Sequence, residues 1–181
     1  MPVRDGDKVV EPINSLIDAF ESQNLPVLFT RDWHPRDHCS FKSRGGMWPP
    51  HAVRDTPGAQ FPPSLHVPKN ATIISKAKEK GVEAYSGFQG TDLSDRLKSM
   101  GVKDLYVAGL ATDYCVKNTV IDGIGEGFRV FLITDCVSGV NIKLTDSATA
   151  FRTMIGRGAR RITSQQLVRS LSGRVAVSSS S

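Results

Sequence analysis

The Asp32 carboxylate and three imidazoles fall within twenty residues of this chain: Asp32-Trp33-His34, then His38, then Trp48-Pro49-Pro50-His51. Asp32 and His34 are two apart. If they extend the apolar run Pro26-Val27-Leu28-Phe29-Thr30 as the end of a strand, they point to the same side, as paired metal ligands must. Carboxylate and imidazole donors suit zinc, iron or manganese, and three protein ligands with room for water is the pattern of a functional site. A closed thiolate cage is not available from three scattered cysteines. His66, in Leu65-His66-Val67-Pro68, lacks comparable company and reads as structural or surface.

A second centre of reactivity lies at Cys115. The run Tyr106-Val107-Ala108-Gly109-Leu110-Ala111-Thr112-Asp113-Tyr114-Cys115 reads as strand, tight turn and helix start, with Thr112 or Asp113 as the cap. Cys115 then sits in the first helical turn, where unsatisfied amides and the positive end of the helix dipole favour a thiolate. Amides of Cys115 and of a neighbour such as Ala111 could hold an oxyanion. Lys76 follows the apolar Thr72-Ile73-Ile74-Ser75 and projects from a strand end as a cationic partner; Lys78 and Lys80 lie further into the loop. Cys136 and Cys39 read as inert thiols.

These residues need elements to hold them. Val9, Ile13, Leu16, Ile17 and Phe20 recur at helical spacing, capped by Asp5 or Asp7, so the chain opens with an amphipathic helix. Strands are expected at Val27 to Thr30, Thr72 to Ser75, Leu105 to Ala108 and Val130 to Thr134, with a weaker one near Arg161-Ile162. Helices are expected over Asp92 to Met100, Tyr114 to Glu126, Thr145 to Ile155 and Gln165 to Leu171. Alternating strand and helix gives a three-layer α/β/α fold with a mostly parallel sheet, whose ligands bind beyond the carboxyl ends of the strands. The segment from Pro35 to Asn70 holds seven of the ten prolines; a loop that long in a compact domain is usually functional.

Composition narrows the class further. At 181 residues, 39% hydrophobic and 23% charged, the chain suits one globular domain, taken as 1–173, with 174–181 as a frayed serine-rich tail. No apolar run is long enough to span a bilayer, and no signal segment opens the chain, so the expected compartment is the cytoplasm with reduced thiols. The net charge of +5 comes from dispersed basic residues without interleaved aromatics, which argues against nucleic acid as a partner.

Taken together, Asp5-Gly6-Asp7, Asp32-Trp33-His34-Pro35, Asp37-His38-Cys39-Ser40-Phe41, Trp48-Pro49-Pro50-His51, Ile74-Ser75-Lys76-Ala77, Glu83-Ala84-Tyr85-Ser86-Gly87-Phe88 and Ala111-Thr112-Asp113-Tyr114-Cys115-Val116 resemble the nicotinamidase/pyrazinamidase group of the isochorismatase-like cysteine hydrolases. Relatives acting on isochorismate or other amides share the cysteine region but generally lack the histidine cluster. The resemblance implies hydrolysis of nicotinamide, and of pyrazinamide, to the acid and ammonia through a cysteine thioester, in NAD salvage. It implies a Lys76 and Cys115 pair with an aspartate base, and an oxyanion site at the amides of Ala111 and Cys115. It implies one divalent ion (zinc, iron or manganese) held by Asp32, His34 and His51, with His38 as a further ligand or a group behind the ligands. The metal would take the pyridine nitrogen, Trp48 and Tyr85 would line the pocket, and the Leu110-Ala111 peptide would be cis. A homo-oligomer is compatible with the family.

One part of the pattern is missing. The family's catalytic aspartate lies in an Asp-x-Gln-x-Asp-Phe segment on a first core strand ahead of the first helix, and this chain has no such segment. The expectation is that both strand and base are absent from the sequence, either because it is an amino-terminally truncated record of an active amidase or because the protein is a non-catalytic metal and nicotinamide binder. An amidase for another small carboxamide is a third reading.

Overall fold

The computed structural model describes residues 3–178. Five strands alternate with helices: α1 (Val10–Ser22), β1 (Leu28–Asp32), β2 (Thr72–Lys76), α2 (Leu93–Ser99), β3 (Asp104–Leu110), α3 (Lys117–Gly125), β4 (Arg129–Ser138), α4 (Asp146–Gly156), β5 (Arg160–Ile162) and α5 (Ser164–Ser178). Each expected strand and helix is present, with ends moved by a few residues. Of the tail expected at 174–181, residues 174–178 lie in the last turn of α5 and residues 179–181 lie outside the described residues. Among the described residues, no helix is long and apolar enough to cross a membrane.

Every strand pairing is parallel, as the alternation requires. β1 pairs with β2 from Leu28↔Thr72 to Asp32↔Lys76, and β4 sits between β3 and β5. These are two ladders rather than one continuous sheet: β1–β2 and β3–β4–β5 share no ladder hydrogen bond among the described residues, and Thr30 in the middle of β1 is exposed.

The period-two alternation of β3 and β4 builds the layers. Val107, Val130 and Leu132 point into a cluster with Leu97, Val120 and Met154 from α2, α3 and α4, which also takes Ile74 of β2. Ile133 and Cys136 point the other way, against Leu16 of α1 and Leu167 and Leu171 of α5. On that same face Phe20 meets Tyr106 edge-on at 5.7 Å, and Tyr106 stacks on Phe131 at 4.9 Å. Helices therefore cover both faces of the β3–β4–β5 ladder.

Two local expectations change. α1 is preceded by a 3-10 turn, Gly6–Val9, and Asp5 pairs with Lys8 instead of capping the helix. Before α3, residues Thr112–Val116 form a π-helical turn, and neither Thr112 nor Asp113 caps it.

Candidate active site

β1 and β2 run in register, so Asp32 and Lys76 end side by side, and the Lys76 ammonium is paired with the Asp32 carboxylate. Two residues past Asp32 the chain makes a bridge to Val53: His34 N–H donates to Ala52 O at 3.0 Å, and Arg54 N–H donates to His34 O at 2.9 Å. That bridge carries His51 to His34, with ring centroids 4.9 Å apart. Phe41, fully buried, sets its ring against His34, His38 and His51 at 5.6, 5.8 and 5.6 Å. An apolar hub thus fixes all three imidazoles.

Donor atoms of Asp32, His34 and His51 lie within 4.8 Å of one another, a spacing that small side-chain rotations close onto one cation. The imidazoles suit that task. His34 Nδ1 faces Ala77 O at 3.3 Å and His51 Nδ1 faces Pro49 O at 2.9 Å, which leaves each Nε2 free as a donor. Burial pushes His34 down to about 4, so its ring is neutral near pH 7, the form that binds metal. His38 does not join the set. Its Nδ1 is taken by Ser40 at 2.7 Å and its Nε2 by Val82 O at 3.0 Å, and its ring stacks on His34 at 4.2 Å. His38 is thus held by Ser40 and Val82 beside the Asp32, His34 and His51 group.

The nucleophile approaches from the other ladder. Ala111 O accepts N–H bonds from both Tyr114 and Val116 at 3.0 Å, winding the turn that presents Cys115. Lys76 Nζ, buried, reaches Cys115 Sγ at 3.5 Å and also donates to Ala84 O at 2.9 Å. Burial works against the charge of Lys76, but Cys115 and Asp32 outweigh it and hold the ammonium above its usual range. Burial pushes the Cys115 thiol up; Lys76 and the Ala111 amide pull it down, while the Asp32 charge adds to the rise. Cys136 is fully buried and pushed up to about 12 by burial, an inert thiol.

Trp48 Nε1–H donates to the Tyr85 hydroxyl at 3.1 Å. Tyr114 closes the group, its ring 4.9 Å from Trp48 and 5.4 Å from Tyr85. Sequence reasoning gave Tyr114 no role, although its position beside Cys115 was signal enough. The Leu110-Ala111 peptide is cis. Lys76 has one carboxylate partner, Asp32, and the separate aspartate base implied by the resemblance is not among the described residues. A groove of about 610 Å³ lined by Glu21, Asn24, Leu25, Pro26 and Met100 lies at the amino ends of β1 and β3, away from this chemistry.

Comparison with known proteins shows what the whole chain resembles. Nicotinamidase from Escherichia coli is 39% identical over 180 residues, covering 88% of this chain and 84% of that protein. The structure of a pyrazinamidase from Pyrococcus horikoshii in complex with zinc superposes with a TM-score of 0.85 at 46% identity, over 90% of this chain and 88% of that one. A protein from L. infantum solved in complex with nicotinate has a TM-score of 0.79 at 28% identity, over 91% of this chain and 83% of that one. Residues 2–166 match the Isochorismatase domain, and on that span the chain belongs to the isochorismatase family.

Proposed function

We propose that this protein is a metal-dependent amidohydrolase that converts nicotinamide to nicotinate and ammonia, and accepts pyrazinamide, as a step in NAD salvage. The observation that carries this reading is the reach of Lys76 Nζ to both Asp32 and the Cys115 sulfur, which joins a candidate metal site to a nucleophile. Nicotinamidase and pyrazinamidase relatives of high coverage support it.

Bound by Asp32, His34 and His51, a divalent cation supplies a Lewis acid for a ring nitrogen or a water. The chain's own residues do the rest. Trp48, Tyr85 and Tyr114 offer aromatic faces to a flat ring. Lys76 offsets part of the burial that raises the Cys115 thiol and so favours negative charge on the sulfur as it adds to the carboxamide carbon. The Ala111 and Cys115 amides stabilise the oxyanion. On collapse the nitrogen carries the proton given up by the thiol and leaves as ammonia, giving a thioester; water then adds to the acyl carbon, its proton returns to the sulfur, and the acid is released with the thiol restored. Three unpaired thiols support a cytoplasmic setting.

The test is ammonia release from nicotinamide, pyrazinamide and unrelated amides by zinc-, iron- or manganese-loaded protein. Turnover of the two pyridine-type amides well above the others is expected. No turnover of either by metal-replete protein would sink the reading.

A further inference from the structure

Asp113 is a buried carboxylate that the mechanism above does not use. Its exposure is 5%, it has no ion pair among the described residues, and it lies two residues from the nucleophile. It does not cap its own turn. Its two oxygens instead accept N–H bonds from Val140 at 2.9 Å and Asn141 at 2.7 Å, in the segment that leaves β4. A carboxylate buried without a cation is costly unless it is hydrogen-bonded to this degree.

The receiving segment is built to meet it. A Cβ at Gly139 would lie 2.0 Å from Ser147 Oγ and 3.1 Å from Asp113 Oδ1, so a side chain there would force both groups to shift. Asn141 adopts φ 53°, and its Oδ1 accepts the N–H of Ser147 at 2.9 Å in the first turn of α4. Asp113 therefore ties the turn of Cys115 to the exit of β4, and Asn141 ties that exit to the start of α4.

We infer that Asp113 is a positioning residue: it locks the Thr112–Val116 turn to the β4 exit and so fixes Cys115 and the Ala111 amide against the reacting carbon. This rests on the amidase reading, and it acts only through the turn. A loosened turn displaces sulfur and oxyanion donor together. A misplacement of about 1 Å costs on the order of 10²-fold in rate.

The experiment compares Asp113→Asn and Gly139→Ala with the unmodified, zinc-loaded protein. Asn keeps the shape but turns one acceptor into a donor that faces an N–H. The alanine attacks the same lock from the other side. Expected are a fall in kcat of about 10²-fold with KM for nicotinamide and zinc affinity within about 3-fold. Inhibition by pyridine-3-carbaldehyde, whose thiol adduct carries the oxyanion, should weaken in step with kcat/KM. The double variant should lose little beyond either single one. Wild-type kcat in Asp113→Asn, or equal losses in KM, zinc affinity and melting temperature in both variants, would overturn the lock. If the unmodified protein releases no ammonia, the functional reading fails instead. Hydrogen exchange of the 111–116 amides then decides the lock alone, faster in Asp113→Asn if it exists and unchanged if it does not.

Discussion

Lys76 commits its three N–H bonds to Asp32, Ala84 O and Cys115, so it works as a fixed positive charge shared by the candidate metal site and the nucleophile. Lys76→Met should lower ammonia release by about 10²–10⁴-fold and slow alkylation of Cys115 at neutral pH. Its loss also leaves Asp32 facing an apolar tip, so melting temperature is to be followed alongside. The two imidazoles set against His34 differ in kind. His51 offers a free Nε2 to a cation, whereas both nitrogens of His38 are taken by Ser40 and Val82. Zinc titration should therefore show His51→Ala losing more than about 10²-fold in affinity. His38→Ala, which removes only the support of His34, should lose about 10–100-fold at most. Equal losses would place His38 among the ligands. The pairing of Asp32 with His34 was legible in the sequence because both flank one strand end, whereas His51 reaches them through the bridge between His34 and Val53. The role of Asp113 was not, because its partners, Val140 and Asn141, are backbone groups of a distant segment.

At the scale of elements, the loop from Pro35 to Asn70 is held by two short 3-10 turns, Lys42–Arg44 and Pro57–Ala59, and by isolated bridges rather than by long helices or strands. Phe41 and Trp48 form a bridge, with Trp48 N–H donating to Ser40 O at 3.0 Å and Lys42 N–H to Trp48 O at 2.7 Å. Between them Gly46 lies so close to the Ser40 carbonyl that a Cβ would stand 2.1 Å from its carbon and oxygen. Gly46→Ala should thus open the turn that places Trp48. A loss of about 2 kcal/mol or more in a denaturant titration, together with weaker binding of nicotinate, is expected; unchanged values would mean that the loop yields without consequence. The strands and helices around this loop could be read from apolar periodicity, since β3 and β4 alternate between two helical layers. The loop itself could be recognised only by composition, because prolines and single bridges leave no periodic trace.

For the whole molecule, stability and metal binding should share one pH dependence. His34 takes up a proton near pH 6.5 in the unfolded chain but only near 4 in the folded protein, chiefly because it is buried. Between those values the unfolded state binds more protons, so stability is present above about pH 6.5 and is lost as pH falls toward 4. Metal-free protein should show this fall in melting temperature, and zinc should raise the melting temperature most on the neutral side, where the ligand is unprotonated. A flat profile across the window would remove His34 from the account. The sequence by itself determined the order of elements and the parallel pairing, and it singled out candidate reactive groups, because periodicity, strand ends and local spacing are properties of neighbouring residues. Only the tertiary structure decided that Lys76 touches both Asp32 and Cys115, that His38 stands behind His34, that Tyr114 completes the aromatic wall and that Asp113 reaches the β4 exit. Each of those depends on how separate elements pack against one another, which short-range spacing does not encode.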